Sequence, residues 1–274
     1  MRTTFQKFKA SYFLYSFKRD KVAIFSFIVL TIFLLLAVTA PWVAPMDPYD
    51  AINIDIMNSE IPPVWMEEGS NEFLLGTDNQ GRDMLSTMLY GLRTSIVIGL
   101  GAVALQGIIG VIVGLFAGYM GGKLDAVLMR LADIQFSFPY LMVAILMSAI
   151  FQVAFGLGSF ERLAVPLLIV IIGLSNWPMF ARTIRASVIG EKNKEYVEAA
   201  RVIGLPTWTI IFRHILPNSL TSVMVISTIQ VANAVMSEAA LSFLGLGMPV
   251  TKPSLGSLIR AGQEFFFSGS WWIT

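Results

Sequence analysis

What most constrains this chain is that five stretches of its sequence are apolar for long enough to cross a lipid bilayer. A membrane helix needs roughly 20 mostly apolar residues, because backbone groups left unpaired in hydrocarbon are too costly. The stretches run from about Val22 to Ala40, Thr94 to Tyr119, Ala126 to Phe151, Leu163 to Phe180 and Leu216 to Leu241, and none carries a run of charges. The first ends at the breaker-rich Pro41-Trp42-Val43-Ala44-Pro45. It exceeds the roughly 7–15 apolar residues of a cleaved signal peptide, so it reads as a retained helix. Pro139, Pro166 and Pro178 are expected to kink or interrupt their helices. The fold class implied is an all-α, polytopic helical bundle in a membrane. Composition agrees: of 274 residues 55% are hydrophobic and 14% charged, against about 25% charged in soluble domains.

Orientation follows from where lysine and arginine sit, since positive loops stay in the cytoplasm. The tail before the first span holds Arg2, Lys7, Lys9, Lys18, Arg19 and Lys21 against the single acid Asp20, which predicts a cytoplasmic N-terminus. From Pro45 to Arg93 the balance reverses. Asp47, Asp50, Asp55, Glu60, Glu67, Glu68, Glu72, Asp78 and Asp83 face only Arg82 and Arg93, so this loop is expected outside. Between the fourth and fifth spans Arg182, Arg185, Lys192, Lys194, Arg201 and Arg213 outnumber Glu191, Glu195 and Glu198, which returns the chain to the cytoplasm. The ending Trp271-Trp272-Ile273-Thr274 reads as an interfacial aromatic anchor that opens another helix, so a sixth span is expected beyond Thr274.

Several chemistries are excluded. There is no cysteine, hence no disulfide, zinc-thiolate site, iron–sulfur cluster or thiol nucleophile. One histidine, His214, rules out paired-histidine metal and catalytic sites within the chain. The net charge of +1 gives no signal for nucleic acid. Gly118 to Lys123 fails the phosphate-loop pattern, because Ala117 stands where the first glycine belongs and Leu124 where Ser or Thr belongs.

The basic loop before the fifth span has structure of its own. Asn193 to Ile203 has helix-forming composition and is followed by Gly204, a natural terminator. A second short amphipathic run, Pro206 to His214, leads through Leu216-Pro217-Asn218 into the span, giving a helix, a sharp turn and a second helix. Tyr196, Ala199, Ala200 and Ile203 recur at helical spacing, and the small alanines would let another surface approach. From pattern alone, a partner-binding element and a solvated hairpin with its arginines on anionic lipid fit equally.

The residues of this loop resemble something specific. Glu198-Ala199-Ala200, three residues, Gly204, and then His214-Ile215-Leu216-Pro217 is similar to the EAA loop of binding-protein-dependent ABC importers. His214 stands where the broad pattern has an apolar residue, as in its peptide-transporting branch. Leu75-Gly76-Thr77-Asp78, Gly81-Arg82-Asp83, Met129 to Asp133, Phe138-Pro139 and Ala240 to Gly247 resemble the C-type subunit of the dipeptide, oligopeptide and nickel permeases.

The resemblance implies a type I ABC importer permease fold in the bacterial inner membrane. It implies a tail over 1–21, a first membrane helix over 22–44, an outer loop over 45–93, and a core over 94–274 with a cytoplasmic coupling loop at about 183–215. It implies a non-catalytic subunit that works with a homologous permease, two ATP-binding subunits that carry ATP and magnesium, an extracytoplasmic solute-binding protein and membrane lipid. The cargo implied is a di- or oligopeptide, with nickel chelates or glutathione-like solutes as alternatives. Tyr196, Glu198, Ala199, Ala200, Gly204 and Pro217 are the implied ATPase-coupling residues.

Three other groups stand out. Ser227, Gln230, Asn233 and Ser237 form a polar stripe on the fifth span, which either lines a water-filled path or bonds to neighbouring helices. In the outer loop Asp78, Arg82 and Asp83 are candidates for contact with the solute-binding protein, or Thr77 or Asp78 simply caps the next helix. Gly110, Gly114, Gly118 and Gly122 line one side of the second span and favour close helix packing. Arg130 and Asp133 lie three apart and are expected to pair. An ion-coupled secondary transporter would need acids near mid-membrane, whereas Asp133 and Glu238 lie toward span ends. An intramembrane hydrolase would need a base with a partner, and His214 has none evident.

Overall fold

Apolar runs of this length satisfy their backbone groups only as helices, and the computed structural model, described for residues 12–50, 54–249, 251–267 and 269–273, is helical nearly throughout. Nine helices carry the fold among the described residues: α1 (Tyr12–Arg19), α2 (Lys21–Val43), α3 (Met84–Met120), α4 (Gly122–Phe136), α5 (Tyr140–Phe155), α6 (Leu157–Lys192), α7 (Glu195–Val202), α8 (Leu216–Phe243) and α9 (Leu255–Phe265). Four elements are long and apolar enough to span a membrane, and the pair α4–α5, bent by 84°, meets the same length and composition only when taken together. Arg2, Lys7 and Lys9 of the basic tail, and Thr274, lie outside the described residues.

The helices α3 and α6 form the centre, with α8 packed on both, α5 on α6 and α2 on α3. Ile98, Leu168, Ile171, Phe180 and Leu241 are buried where these helices meet. Lipid tails are as apolar as these side chains, so such contacts rest on close packing more than on exclusion of water. Glycine supplies the closeness. A Cβ on Gly114 would lie 2.9 Å from Ile184 Cβ, and one on Gly118 would lie 2.9 Å from both the Arg185 carbonyl oxygen and Val188 Cβ. Gly110 meets Phe180 and Ala181 in the same way. Gly122 departs from this stripe: with φ +57° and open space around it, it makes the turn into α4. On α2 only Ala37 and Ala40 are buried, Leu36 packs beside them, and Phe25, Phe27, Ile28, Leu30, Ile32, Phe33 and Leu35 face outward as a lipid-bathed helix requires.

Several expected boundaries move. The second span begins at Met84 rather than Thr94, because Asp83 caps it by accepting from Ser86 N at 2.7 Å. The expected cap, Thr77 or Asp78, is instead used inside the loop. The third span is not one straight helix. It breaks over Ser137-Phe138-Pro139 and turns by 84°, because Pro139 lacks an N–H and drives the preceding residue out of helical geometry. Pro166 and Pro178 do not interrupt α6, which continues to Lys192, and Pro41 lies inside α2. The expected Arg130–Asp133 pair is replaced by Arg182–Asp133 at 2.6 Å, with Arg182 also over the Phe136 ring. Both partners of that pair are about half exposed, so it holds α4 to α6 only weakly. Trp271–Ile273 form a single 3₁₀ turn, in which Trp272 Nε1 donates to the Thr77 carbonyl at 3.3 Å while Trp271 stays exposed.

Candidate coupling surface and outer mouth

Two ends of the bundle carry the sequence-marked residues, separated by the length of α3, about 55 Å for its 37 residues. At one end the chain leaves α6, makes α7, turns at Gly204 and re-enters the bundle. Beneath α7 lies an apolar cluster in which Leu115, Ile184, Val188, Ile210, Ile211 and Ile215 surround Val197 and Ala200. The expected face of four residues is therefore narrower than its spacing suggested. Ala199 and Ala200 point about 100° apart, and only Ala199 faces out, with Tyr196, Glu198, Val202 and Ile203. Val202 is 87% exposed and Ile203 73%, at an end where charged residues abound.

The turn at Gly204 takes φ +77°, a left-handed conformation, and no atom lies within 4 Å of where a Cβ would stand. The second expected helix is not separate. After a short turn at Thr207–Thr209, a π-helical segment at Ile210–Ile215 runs directly into α8, held in register by buried Ile210, Ile211 and Ile215. Leu216 N–H bonds to the Ile211 carbonyl, five residues back. Pro217, in the first turn of α8, accounts for the widening: it has no N–H for the Arg213 carbonyl and its ring crowds that group. Trp208 and Phe212 stack with centroids 5.8 Å apart and are exposed beside α7.

Tyr196 sits where three elements meet. Its hydroxyl donates to Glu191 Oε2 at 2.6 Å and accepts from Asn218 Nδ2 at 3.2 Å, while Asn218 Nδ2 also donates to the His214 carbonyl at 2.7 Å. Partial burial and the bond to Glu191 push the Tyr196 phenol up, which keeps it a neutral donor. Lys194 pairs with Glu191 at 2.6 Å, and this bond raises its ammonium.

At the opposite end, Asp78, Arg82 and Asp83 are all buried. Asp78 accepts from Arg82 Nε at 2.7 Å and from the backbone of Gln80 and Arg82, which folds the Thr77–Asp83 turn on itself. The outer surface of the loop is left to its remaining acids. Nearby, Glu238 is fully buried and accepts from Ser95 and Ser242 hydroxyls, each at 2.6 Å. Leu255 N donates in turn to Ser95 Oγ and Met248 N to Ser242 Oγ, so one carboxylate gathers α3, α8, the turn after α8 and the start of α9.

Between the ends, the polar stripe of α8 turns largely inward. Gln230 is buried and reaches Gln106 of α3 at 3.4 Å, Gln106 Nε2 donates to the Ile172 carbonyl of α6, and Asn233 Nδ2 donates to Gln230 Oε1 at 2.8 Å. Ser237 is buried and Ser227 partly so, both hydroxyls bonding to carbonyls one turn back. Among the described residues no group of three His, Cys, Asp or Glu side chains is placed to hold a metal ion.

Residues 110–273 match the model of the inner membrane component of binding-protein-dependent transport systems. The chain belongs to this family. Residues 10–63 of the permease also match the N-terminal transmembrane domain of oligopeptide transport permease C. The permease is 34% identical to the di/tripeptide transport system permease protein DppC of Pseudomonas aeruginosa, over 94% of this chain and 80% of the relative. It is 37% identical to the dipeptide transport system permease protein DppC of Escherichia coli K12, over 95% and 82%. Against the oligopeptide transport system permease protein OppC of Bacillus subtilis the values are 35%, over 90% and 74%.

The permease carries two features that pattern reading passed over. Val202 and Ile203 before Gly204, and the stacked Trp208 and Phe212 after it, are large apolar side chains whose exposure only the fold shows. Glu238 lies toward the end of its span in the sequence, and the packing of α3 and α9 around it makes its carboxylate a junction.

Proposed function

We propose that this permease takes up di- or oligopeptides through a path shared with a homologous permease, with ATP and magnesium bound on two partner subunits rather than on this chain. The relatives' peptide-transport names support the cargo. The observation that carries the coupling reading is the split of α7. Val197 and Ala200 fix its inner side to the membrane helices, while Glu198, Ala199, Val202 and Ile203 stand exposed on its outer side. An apolar face left bare among charges marks a surface made for a partner. Charge bias puts this end in the cytoplasm, where an ATP-binding subunit would seat against it. Closure of the two ATP-binding subunits would then move α7, and through it α6 and α8. Ala199 permits close approach and Gly204 the turn; Ala200 and Pro217 serve from within.

At the other end, a solute-binding protein would dock on the acidic outer loop, with Asp78, Arg82 and Asp83 shaping that loop from inside. Of the α8 stripe, Ser227 and Asn233, which are only partly buried, would face the shared path, while Gln230 ties α8 to α3 and buried Ser237 bonds within its own helix.

The test is replacement of Glu198 by Lys and of Gly204 by Val, followed by ATPase co-purification and peptide uptake. A β-branched residue at φ +77° costs roughly 1–2 kcal/mol in the turn alone and fills the space beside it. Both variants are expected to lose uptake and to retain less of the ATP-binding subunits. Wild-type assembly and uptake in both would refute the reading.

A further inference from the structure

This inference rests on reading α7 as the seat of an ATP-binding subunit. We propose that Tyr196 is a positioning residue that ties α7 to the two membrane helices on either side of it, so that a displacement of α7 reaches α6 and α8 together. Its hydroxyl is the meeting point: it donates to Glu191 in the last turn of α6 and accepts from Asn218 in the first turn of α8. Asn218 secures its own side by donating to the His214 carbonyl, at the end of the π-helical segment where Pro217 interrupts normal helical bonding.

The other ties of α7 each reach one helix: Lys194 pairs with Glu191 at the end of α6, and Arg201 lies over the Tyr119 ring of α3 at 5.9 Å. The C-terminal link of α7 passes through Gly204, a left-handed residue with open space around it, which is a soft joint. The apolar contacts of Val197 and Ala200 resist separation, but apolar contacts are non-directional and leave α7 able to slide or roll over the cluster beneath. Hydrogen bonds are directional, and those to Tyr196 fix the angle of α7 against both helices. Because Tyr196 spends its hydroxyl inside the chain, its role is transmission rather than contact with the ATP-binding subunit.

The experiment uses the full importer, purified with its partner chains and reconstituted in liposomes, and reads uptake of a radiolabelled dipeptide that the wild-type complex transports, per ATP hydrolysed. Tyr196→Phe keeps the ring and removes both bonds. Its co-purification with the ATP-binding subunits is expected to match wild type, while peptide moved per ATP falls on the order of tenfold, the size associated with one hydrogen bond to a charged group. Asn218→Ala is expected to lower the same ratio, and the double variant to lose less than the sum of the two single losses, since both remove the Tyr196–Asn218 bond. An unchanged ratio in both single variants overturns the proposal, as do fully additive losses. So does loss of the ATP-binding subunits from Tyr196→Phe, which would place the hydroxyl in the docking surface. If Tyr196→Phe fails to accumulate, Asn218→Ala alone decides, since it spares the bond to Glu191. Failure of the underlying reading shows separately, as wild-type assembly and uptake in both Glu198→Lys and Gly204→Val.

Discussion

Asp78 and Arg82 show how a charged pair can be structural. Both are buried, bonded to each other at 2.7 Å and to the backbone of their own turn, in a loop otherwise crowded with acids. Removing one member of a buried pair leaves the other without compensation, at a cost of roughly 3–5 kcal/mol. Asp78→Ala is therefore expected to lower the thermal stability of the detergent-solubilised protein markedly. The nearby exposed Glu67→Ala is expected to change it by less than about 0.5 kcal/mol. Equal melting temperatures for both variants would show that the outer loop does not depend on this pair. At this scale the sequence displayed the residue types but not their burial. Asp78 at four residues from Arg82 is compatible with a docking surface and with an internal clasp, and only the fold of the turn distinguishes them.

Among the elements, the α3–α6 contact is the one that glycine makes. Two glycines on α3 give a controlled comparison: a Cβ at Gly114 would press on Ile184, whereas one at Gly107 would lie 3.9 Å from Phe180, ordinary contact distance. Gly114→Ala is expected to destabilise the bundle by about 1–3 kcal/mol, the usual cost of overpacking, while Gly107→Ala is neutral or mildly stabilising. Denaturant titration of the two variants in detergent checks the difference. The helices themselves were largely legible, because a bilayer leaves apolar runs no other structure to form. Their ends were not. The first ten residues of α3 are polar enough to fall outside an apolar run, and the start is fixed by a cap at Asp83. Prolines were legible as helix disturbers but not by degree: Pro139 breaks a helix while Pro166 and Pro178 ride within one, since neighbouring helices decide whether a lost bond is tolerated. The π-helical segment before α8 was hidden in the same way, although Pro217 marks its cause.

For the whole molecule, the proposed coupling makes α7 a lever between an ATP-driven partner and the membrane helices. Its inner side is fixed by packing on α6, α8 and the intervening segment, and its outer side is bare. The chain lacks cysteine, so single cysteines can be placed without background from its own side chains. The most direct measurement is cross-linking in the assembled importer from Ala199→Cys, Val202→Cys and Ile203→Cys, with Val197→Cys as a buried control. The three outer positions are expected to cross-link to an ATP-binding subunit with a yield that changes on adding ATP, while position 197 does not. Intact complexes in which none of the three outer positions reaches an ATP-binding subunit would contradict the proposed coupling.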